Sequence, residues 1–352
     1  MKIGLIGLPN SGKTTIFNAL TRSNSPVSTY TGQTAESHVS VVEVADPRVS
    51  RLSDMYSPKK TTYATIEFID WAAASEGSPF SGSALAPIKG ADALAVVVRH
   101  FEDAAGAPPS PEADIEKIVQ ELSISDLILS ESRLERIELA YKRGKRNHLL
   151  EMEEKLLRRI IEHLSGGHSV RDFQMDREQE KMLRGFQFLT QKPLMVVLNS
   201  EENRFGRNPE LMERIERKNR AIEFAGKFEM ELSRLNDPEE EKLFMEDMGI
   251  KESARNRLAR IAYDLVGYIS FFTVGPDEVR AWNIVRGQTA VEAAGTIHSD
   301  LARGFIRAEC IRYDDLAALG SEKNVREQGK VRLEGKNYVV EDGDILNIRF
   351  NV

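Results

Sequence analysis

Residues 7–14 read Gly7-Leu8-Pro9-Asn10-Ser11-Gly12-Lys13-Thr14, the spacing G-x-x-x-x-G-K-[ST] of a phosphate-binding loop. The chemistry follows from the residue types. Backbone N–H groups of such a loop wrap a β-phosphate, and Gly7 and Gly12 let the chain come that close. Lys13 reaches the β- and γ-phosphates, and the Thr14 hydroxyl coordinates Mg²⁺. The apolar run Lys2-Ile3-Gly4-Leu5-Ile6 before the loop suits a buried parallel strand. Thr15-Ile16-Phe17-Asn18-Ala19-Leu20 after it opens a helix whose positive end faces the phosphates. A chance Gly-rich turn has no reason to sit between a strand and a helix.

Three further segments carry groups that such a loop needs. Thr65-Ile66-Glu67-Phe68-Ile69-Asp70 is an apolar strand ending in an acid, and an Asp at this place holds Mg²⁺ in phosphate-loop enzymes. In Tyr30-Thr31-Gly32-Gln33-Thr34-Ala35-Glu36 one threonine can complete the Mg²⁺ shell and sense the γ-phosphate. Thr31 and Thr34 compete for that role. Asn199-Ser200-Glu201-Glu202 follows the apolar run from Pro193, at the carboxyl edge where α/β sheets bind ligands. The amide of Asn199 and the carboxylate of Glu202, three residues on, form a base-reading arrangement. A plain polar loop is the alternative for each of the last two segments.

The elements that must position these groups fall into three blocks. Residues 1–111 alternate apolar runs (Ile3–Ile6, Val39–Val44, Thr65–Ile69, Ala93–Val98) with Gly, Ser and Pro segments, the punctuation of an α/β sheet. The sheet pattern returns at Pro193–Asn199, and a helix-rich stretch runs to residue 267. Between them, residues 112–192 repeat apolar positions at helical spacing, broken at Lys142-Arg143-Gly144-Lys145-Arg146. Two long amphipathic helices meeting there make an antiparallel pair. The basic turn is either an RNA contact or a solvated tip. Residues 268–352 offer strands at Ile269–Thr273, Ala281–Val285, Phe305–Ile311, Asn337–Val340 and Ile345–Phe350 around a helix near Ala290–Ile297, a small α+β fold.

Composition narrows the classes. The chain has 352 residues, 41% apolar, with a formal net charge of -7. That excludes global disorder and argues against a broad nucleic-acid face, though not a local one. The single cysteine, Cys310, permits no intramolecular disulfide and reads as a strand residue rather than a nucleophile. A cleavable leader would remove the phosphate loop, and no apolar run reaches membrane-spanning length. The expectation is a cytoplasmic protein without a membrane contact, monomeric by preference.

Together the motifs resemble the YchF/Obg-like ATPase family of translation-factor-class P-loop NTPases, over the whole of Met1 to Val352. Gly7 to Thr15 match its G-x-P-N-x-G-K-[ST]-T opening. Tyr30 to His38 align without a gap to its first switch, which places the switch threonine at Thr34. Asp46-Pro47-Arg48, Val98–Asp103, Leu189–Pro193 and the N-x-x-E of Asn199 and Glu202 look like the family. Ala225-Gly226-Lys227 resembles its degenerate S-A-K loop near the base. Glu278–Trp282, Ala293–Asp300 and Arg303–Glu309 look like its TGS domain, a ubiquitin-like β-grasp module.

The resemblance implies an α/β P-loop NTPase domain (1–111 and 193–267) with an inserted helical hairpin (112–192) and a C-terminal TGS domain (268–352). It implies nucleotide contacts at Pro9, Asn10, Ser11, Gly12, Lys13, Thr14, Thr15, Asn199, Glu202, Ala225 and Gly226. The catalytic groups are then Lys13, Thr34 and Asp70, and the Mg²⁺ ligands Thr14, Thr34 and Asp70. It also implies ATP in preference to GTP, slow hydrolysis, and a ribosome or ribosomal RNA partner met through the TGS domain and the hairpin. The residues themselves leave the base open. Adenine offers an acceptor where guanine offers N–H donors, so Glu202 cannot make the guanine contact to adenine. The arginines Arg280, Arg286, Arg303, Arg307 and Arg312 are either an RNA-facing patch or part of a balanced surface.

The chain departs from the family after Asp70, where it reads Trp71-Ala72-Ala73-Ala74-Ser75. Ala73 stands at the glycine of D-x-x-G, and no glutamine follows to orient water. The segment 107–111 is Pro-rich and lacks the His-bearing loop of relatives. Retained binding with reduced turnover is the expectation, and a nucleotide-occupied module without hydrolysis is its competitor.

Overall fold

The computed structural model describes residues 1–22, 38–70, 85–235, 237–247, 249–250 and 252–351. It divides into two compact units, Lys2–Ser40 with Glu67–Leu258, and Val41–Ile66 with Ala259–Val352.

The sheet that carries the phosphate loop has six strands in the order His38–Glu43, Thr65–Asp70, Lys2–Ile6, Ala93–His100, Leu194–Ser200, Arg220–Phe224. From Thr65–Asp70 to Arg220–Phe224 the pairing is parallel. Parallel strands are covered on both faces, so they read as unbroken apolar runs. Leu194–Ser200 is buried at every position, and Ala93–His100 at every position but Arg99. The chain leaves the first strand toward one edge and later returns to build the other. The phosphate loop therefore sits at the reversal of strand order, where open α/β sheets bind ligands.

Helices Pro111–Lys142 and His148–Ser165 form the hairpin. Proline at the first turn fits a position whose N–H has no helical partner, and Asn147 caps the second helix by accepting from Leu150 N at 3.0 Å. Arg133 grips Glu153 through two nitrogens at 2.7 and 2.8 Å. The base of the hairpin belongs to the sheet. Ile115, Ile118 and Leu122 share one core with Val96, Val98, Leu194, Val196 and Leu198 of the strands, and with Ile215 of helix Pro209–Glu216. Farther out, Leu156, Ile160 and Leu164 close on Val170, Leu183 and Phe188.

One buried carboxylate ties the hairpin to the turn that precedes strand Leu194–Ser200. Asp126 accepts from Leu189 N at 2.9 Å, Thr190 N at 2.8 Å and Thr190 Oγ1 at 2.7 Å. Desolvation still holds its carboxyl above the ordinary carboxylate value, with those donors pulling it back. The contact therefore matters chiefly through the donors that its loss would strand.

The second unit is built on another six-stranded sheet, ordered Arg332–Glu334, Phe305–Arg312, Asp344–Phe350, Tyr268–Thr273, Glu278–Val285, Lys60–Thr62. Helix Ala290–Ile297 lies where the sequence places it, opened by a Thr289/Glu292 capping box. It packs Ala290, Ala293 and Ala294 against Phe271, Ala308 and Leu346. Cys310 is buried in its strand, and burial pushes its thiol up to about 12.

Two features differ from expectation. Asn337–Val340 contributes only an isolated bridge, Thr289 to Val339. Its backbone groups turn to the helix entry instead, with Ala290 N donating to Tyr338 O and Val340 N to Gln288 O. Residues 41–66, expected with the phosphate loop, pack with the C-terminal segment. Lys60–Thr62 pairs in parallel with Glu278–Arg280, and Val49 and Leu52 share a core with Val279, Ile311 and Leu316.

Asp126→Ala is expected to destabilise the first unit by about 3 kcal/mol, because it leaves three buried donors unpaired. Thermal unfolding checks this, with a fall in Tm of roughly 6–12 °C.

Candidate functional site

The phosphate loop takes its shape from two left-handed residues, Asn10 at φ 62° and Gly12 at φ 83°. Ser11 N donates to Leu8 O at 3.2 Å, and Ile16 N to Gly12 O at 3.0 Å, which starts helix Lys13–Thr21. Gly7 is required by close approach: a Cβ there would stand 2.5 Å from Val97 O and 2.6 Å from Ser11 Oγ.

Thr14 and Asp70 meet beside the loop, Thr14 Oγ1 donating to Asp70 Oδ2 at 3.1 Å. Asp70 is buried, and its Oδ1 has no hydrogen-bond partner among the described residues. Burial pushes its carboxyl above the ordinary value, while Lys13, Thr14 and His38 pull it down. Burial pulls the Lys13 ammonium below its ordinary value, and Asp70 raises it. A hydroxyl and a carboxylate with one oxygen unpaired form an all-oxygen donor set of the kind a hard cation takes. These residues fit Mg²⁺.

Asn199 pins the site together. Its Nδ2 donates to Ser11 O at 3.0 Å, and its Oδ1 accepts from Gly226 N at 3.2 Å. One carboxamide thus holds the phosphate loop against the turn that opens helix Gly226–Leu232. Both sides of the contact need glycine. A Cβ on Gly12 would collide with Asn199 Nδ2, and one on Gly226 with Asn199 Oδ1 and, at 2.8 Å, Ile16 Cδ1.

The structure therefore brings together Ser11, Gly12, Lys13, Thr14, Asp70, Asn199, Ala225 and Gly226. Thr15 lies in the first turn of helix Lys13–Thr21. Pro9 and Asn10 line a cavity of about 270 Å³ with Arg99, Asp103, Asp114 and Lys117. Glu202 is exposed on the loop after Leu194–Ser200. Thr31, Thr34 and Ala73 lie outside the described residues.

Sequence reasoning misses a second polar chain at this edge. His100 Nδ1 lies 2.9 Å from Ser200 Oγ, and Ser200 Oγ donates to Glu223 Oε1 at 2.5 Å. Gly206 N donates to Glu223 Oε2 at 3.0 Å. His100 and Ser200 are register partners on adjacent strands. No local motif marks three residues so far apart in the chain.

A family model described as "50S ribosome-binding GTPase" matches residues 2–132. A second, named for the C-terminal part of YchF GTPases and described as a protein of unknown function, matches residues 268–351. The chain is 37% identical over 363 residues to the protein named "Ribosome-binding ATPase YchF" of Haemophilus ducreyi, covering 100% of this chain and 99% of the relative. It is 37% identical to the like-named protein of Bacillus subtilis, covering 99% of each. Among solved structures it is similar to the YchF GTPase of Schizosaccharomyces pombe, with a TM-score of 0.84, 28% identity, and coverage of 99% of this chain and 97% of that one.

Gly226→Ala is expected to lower purine triphosphate affinity at least tenfold, about 1.4 kcal/mol, by displacing Asn199. Gly12→Ala does the same and adds the cost of a left-handed alanine. Gly90→Ala, where a Cβ meets nothing within 4 Å, is the control. Calorimetric titration reads all three.

Proposed function

The chain belongs to the YchF family, and from that premise we propose that it is a Mg²⁺-dependent P-loop NTPase, ATP-preferring and slow, that acts as a ribosome-associated switch in the cytoplasm. The observation that carries the reading is the pairing of Thr14 with a buried Asp70 beside Lys13, on a loop that Asn199 holds in shape.

In this reading the loop N–H groups and the Lys13 ammonium stabilise the phosphates. Thr14 and Asp70, with Thr34, would hold Mg²⁺, which would supply charge neutralisation to the phosphates. The triphosphate charge favours protonated Lys13, against the desolvation that disfavours it. Asn199, Ala225 and Gly226 form the wall of the base site, with Glu202 at its rim. Catalysis rests on positioning and charge stabilisation rather than on a covalent step.

The alanine at position 73 favours a second reading, a nucleotide-occupied module with little turnover. Single-turnover hydrolysis with ribosomes present separates the two, and a rate equal to that of Lys13→Ala rejects the enzyme.

The ribosome contact draws support from the hairpin tip, where residues 142–146 are all exposed. Arg146 is held by Glu151 at 2.7 Å, which leaves Lys142, Arg143 and Lys145 as the cations to meet a phosphate backbone. Of the five arginines of the C-terminal segment, three are engaged: Arg303 pairs with Asp300, Arg312 with Glu341, and Arg280 stacks on Trp282, while Arg286 and Arg307 are exposed. No helix among the described residues is long and apolar enough to cross a membrane.

Calorimetry with ATP and GTP, with and without Mg²⁺, is expected to show metal-dependent binding that Lys13→Ala abolishes. GTP bound tenfold more tightly than ATP would overturn the base assignment. Reversing Lys142, Arg143 and Lys145 to Glu is expected to weaken ribosome binding about tenfold or more and to flatten its salt dependence. Unchanged binding would remove the tip from the interface.

A further inference from the structure

Consecutive residues of a strand point to opposite faces of the sheet. Asn199 faces the phosphate loop. Ser200 turns to the other face, where the strand register sets it beside His100. Ser200 is buried, and so is His100. A carboxylate only accepts, so the Ser200 hydroxyl hydrogen goes to Glu223, and the Ser200 oxygen accepts from His100 Nδ1–H. Each oxygen of Glu223 thereby holds one end of the loop 201–206: Oε1 takes Ser200 at its start and Oε2 takes Gly206 N at its end. Within the loop, Arg204 N and Phe205 N both donate to Glu201 O, at 2.9 and 3.0 Å. Phe205 packs on the cluster of Ala225, Phe228 and Leu232, and the Arg257 guanidinium lies over its ring at 5.9 Å.

We propose that Glu223 is a positioning residue for base recognition: through Ser200 and the Gly206 amide it presets the loop 201–206, and thereby selects among purine triphosphates. This rests on the nucleotide reading above and deepens it. The loop carries Glu202 and adjoins Asn199, so its shape decides what the rim of the base site presents. With its ends fixed by one carboxylate, the loop meets a base without first losing conformational freedom, and that preorganisation appears as affinity. The phosphate cradle lies on the opposite face of the same strand and does not depend on Glu223.

The test titrates wild type, Glu223→Ala, Glu223→Gln and Ser200→Ala with MgATP, MgGTP and inorganic triphosphate with Mg²⁺. Glu223→Ala is expected to weaken the preferred nucleotide at least tenfold and to change the ATP-to-GTP ratio, while inorganic triphosphate binding stays within twofold. Glu223→Gln keeps the size but accepts with only one oxygen, so it falls between, as does Ser200→Ala, which frees one end of the loop. Hydrogen exchange at the Gly206 amide quickens in both Glu223 variants. Equal losses for nucleotide and inorganic triphosphate would overturn the proposal, as would unaltered affinities in Glu223→Ala. Wild type that binds no purine triphosphate would overturn the nucleotide reading and this proposal together; wild type that binds, with an unaltered Glu223→Ala, overturns this proposal alone.

Discussion

A single side-chain amide sets the geometry on which the rest of the site depends. Asn199 commits its donor to the Ser11 carbonyl and its acceptor to the Gly226 N–H. Both bonds are buried, where an unpaired partner costs about 1–3 kcal/mol. The amide fits only because Gly12 and Gly226 lack a Cβ. Three positions distant in sequence thus form one steric and hydrogen-bonded unit, and none can change alone. The glycine before Lys13 answers to a neighbour 187 positions away as well as to a phosphate (Gly12 and Asn199).

The charges beside that unit are arranged at a cost to the ligand-free fold. Asp70 is pushed up and Lys13 down, each mainly by burial. The signs agree: both shifts favour the neutral forms. Stability from Asp70 is present at low pH and is lost as pH rises through its folded value. For Lys13 it is lost as pH falls from the ordinary lysine range through the lowered folded value. An anion beside Lys13 and a cation beside Asp70 would favour the charged forms and offset the desolvation. The unpaired Asp70 Oδ1 is the same fact at atomic scale.

What can be read from the sequence is what is local. The phosphate loop is a spacing, and Ala93–His100 and Leu194–Ser200 are apolar runs because both of their faces are covered. Arg220–Phe224 gives a weaker signal: it is short, begins with Arg and contains Glu. Lys60–Thr62 is three polar residues made a strand by pairing with Glu278–Arg280, and nothing near it in the chain says so. Asn337–Val340 has strand-like residues, yet its backbone bonds go elsewhere, since β-propensity yields to context. Asp126 reads as one acid among many on a helix, and only the fold sets it against Leu189 and Thr190.

The same limit explains the polar chain of His100, Ser200 and Glu223. Period-two alternation gives one strand end two duties. Asn199 turns to the phosphate side, and Ser200 turns to the side where Leu198 packs with Ile115 and Ile118. A polar residue on that side is buried and must find partners. His100 and Glu223 supply them from the strands on either side. Because the Glu223 carboxylate has a second oxygen, satisfying Ser200 leaves it able to hold Gly206 N. The buried hydroxyl and the closed loop are therefore one constraint, and it lies one residue beyond the amide that shapes the phosphate cradle.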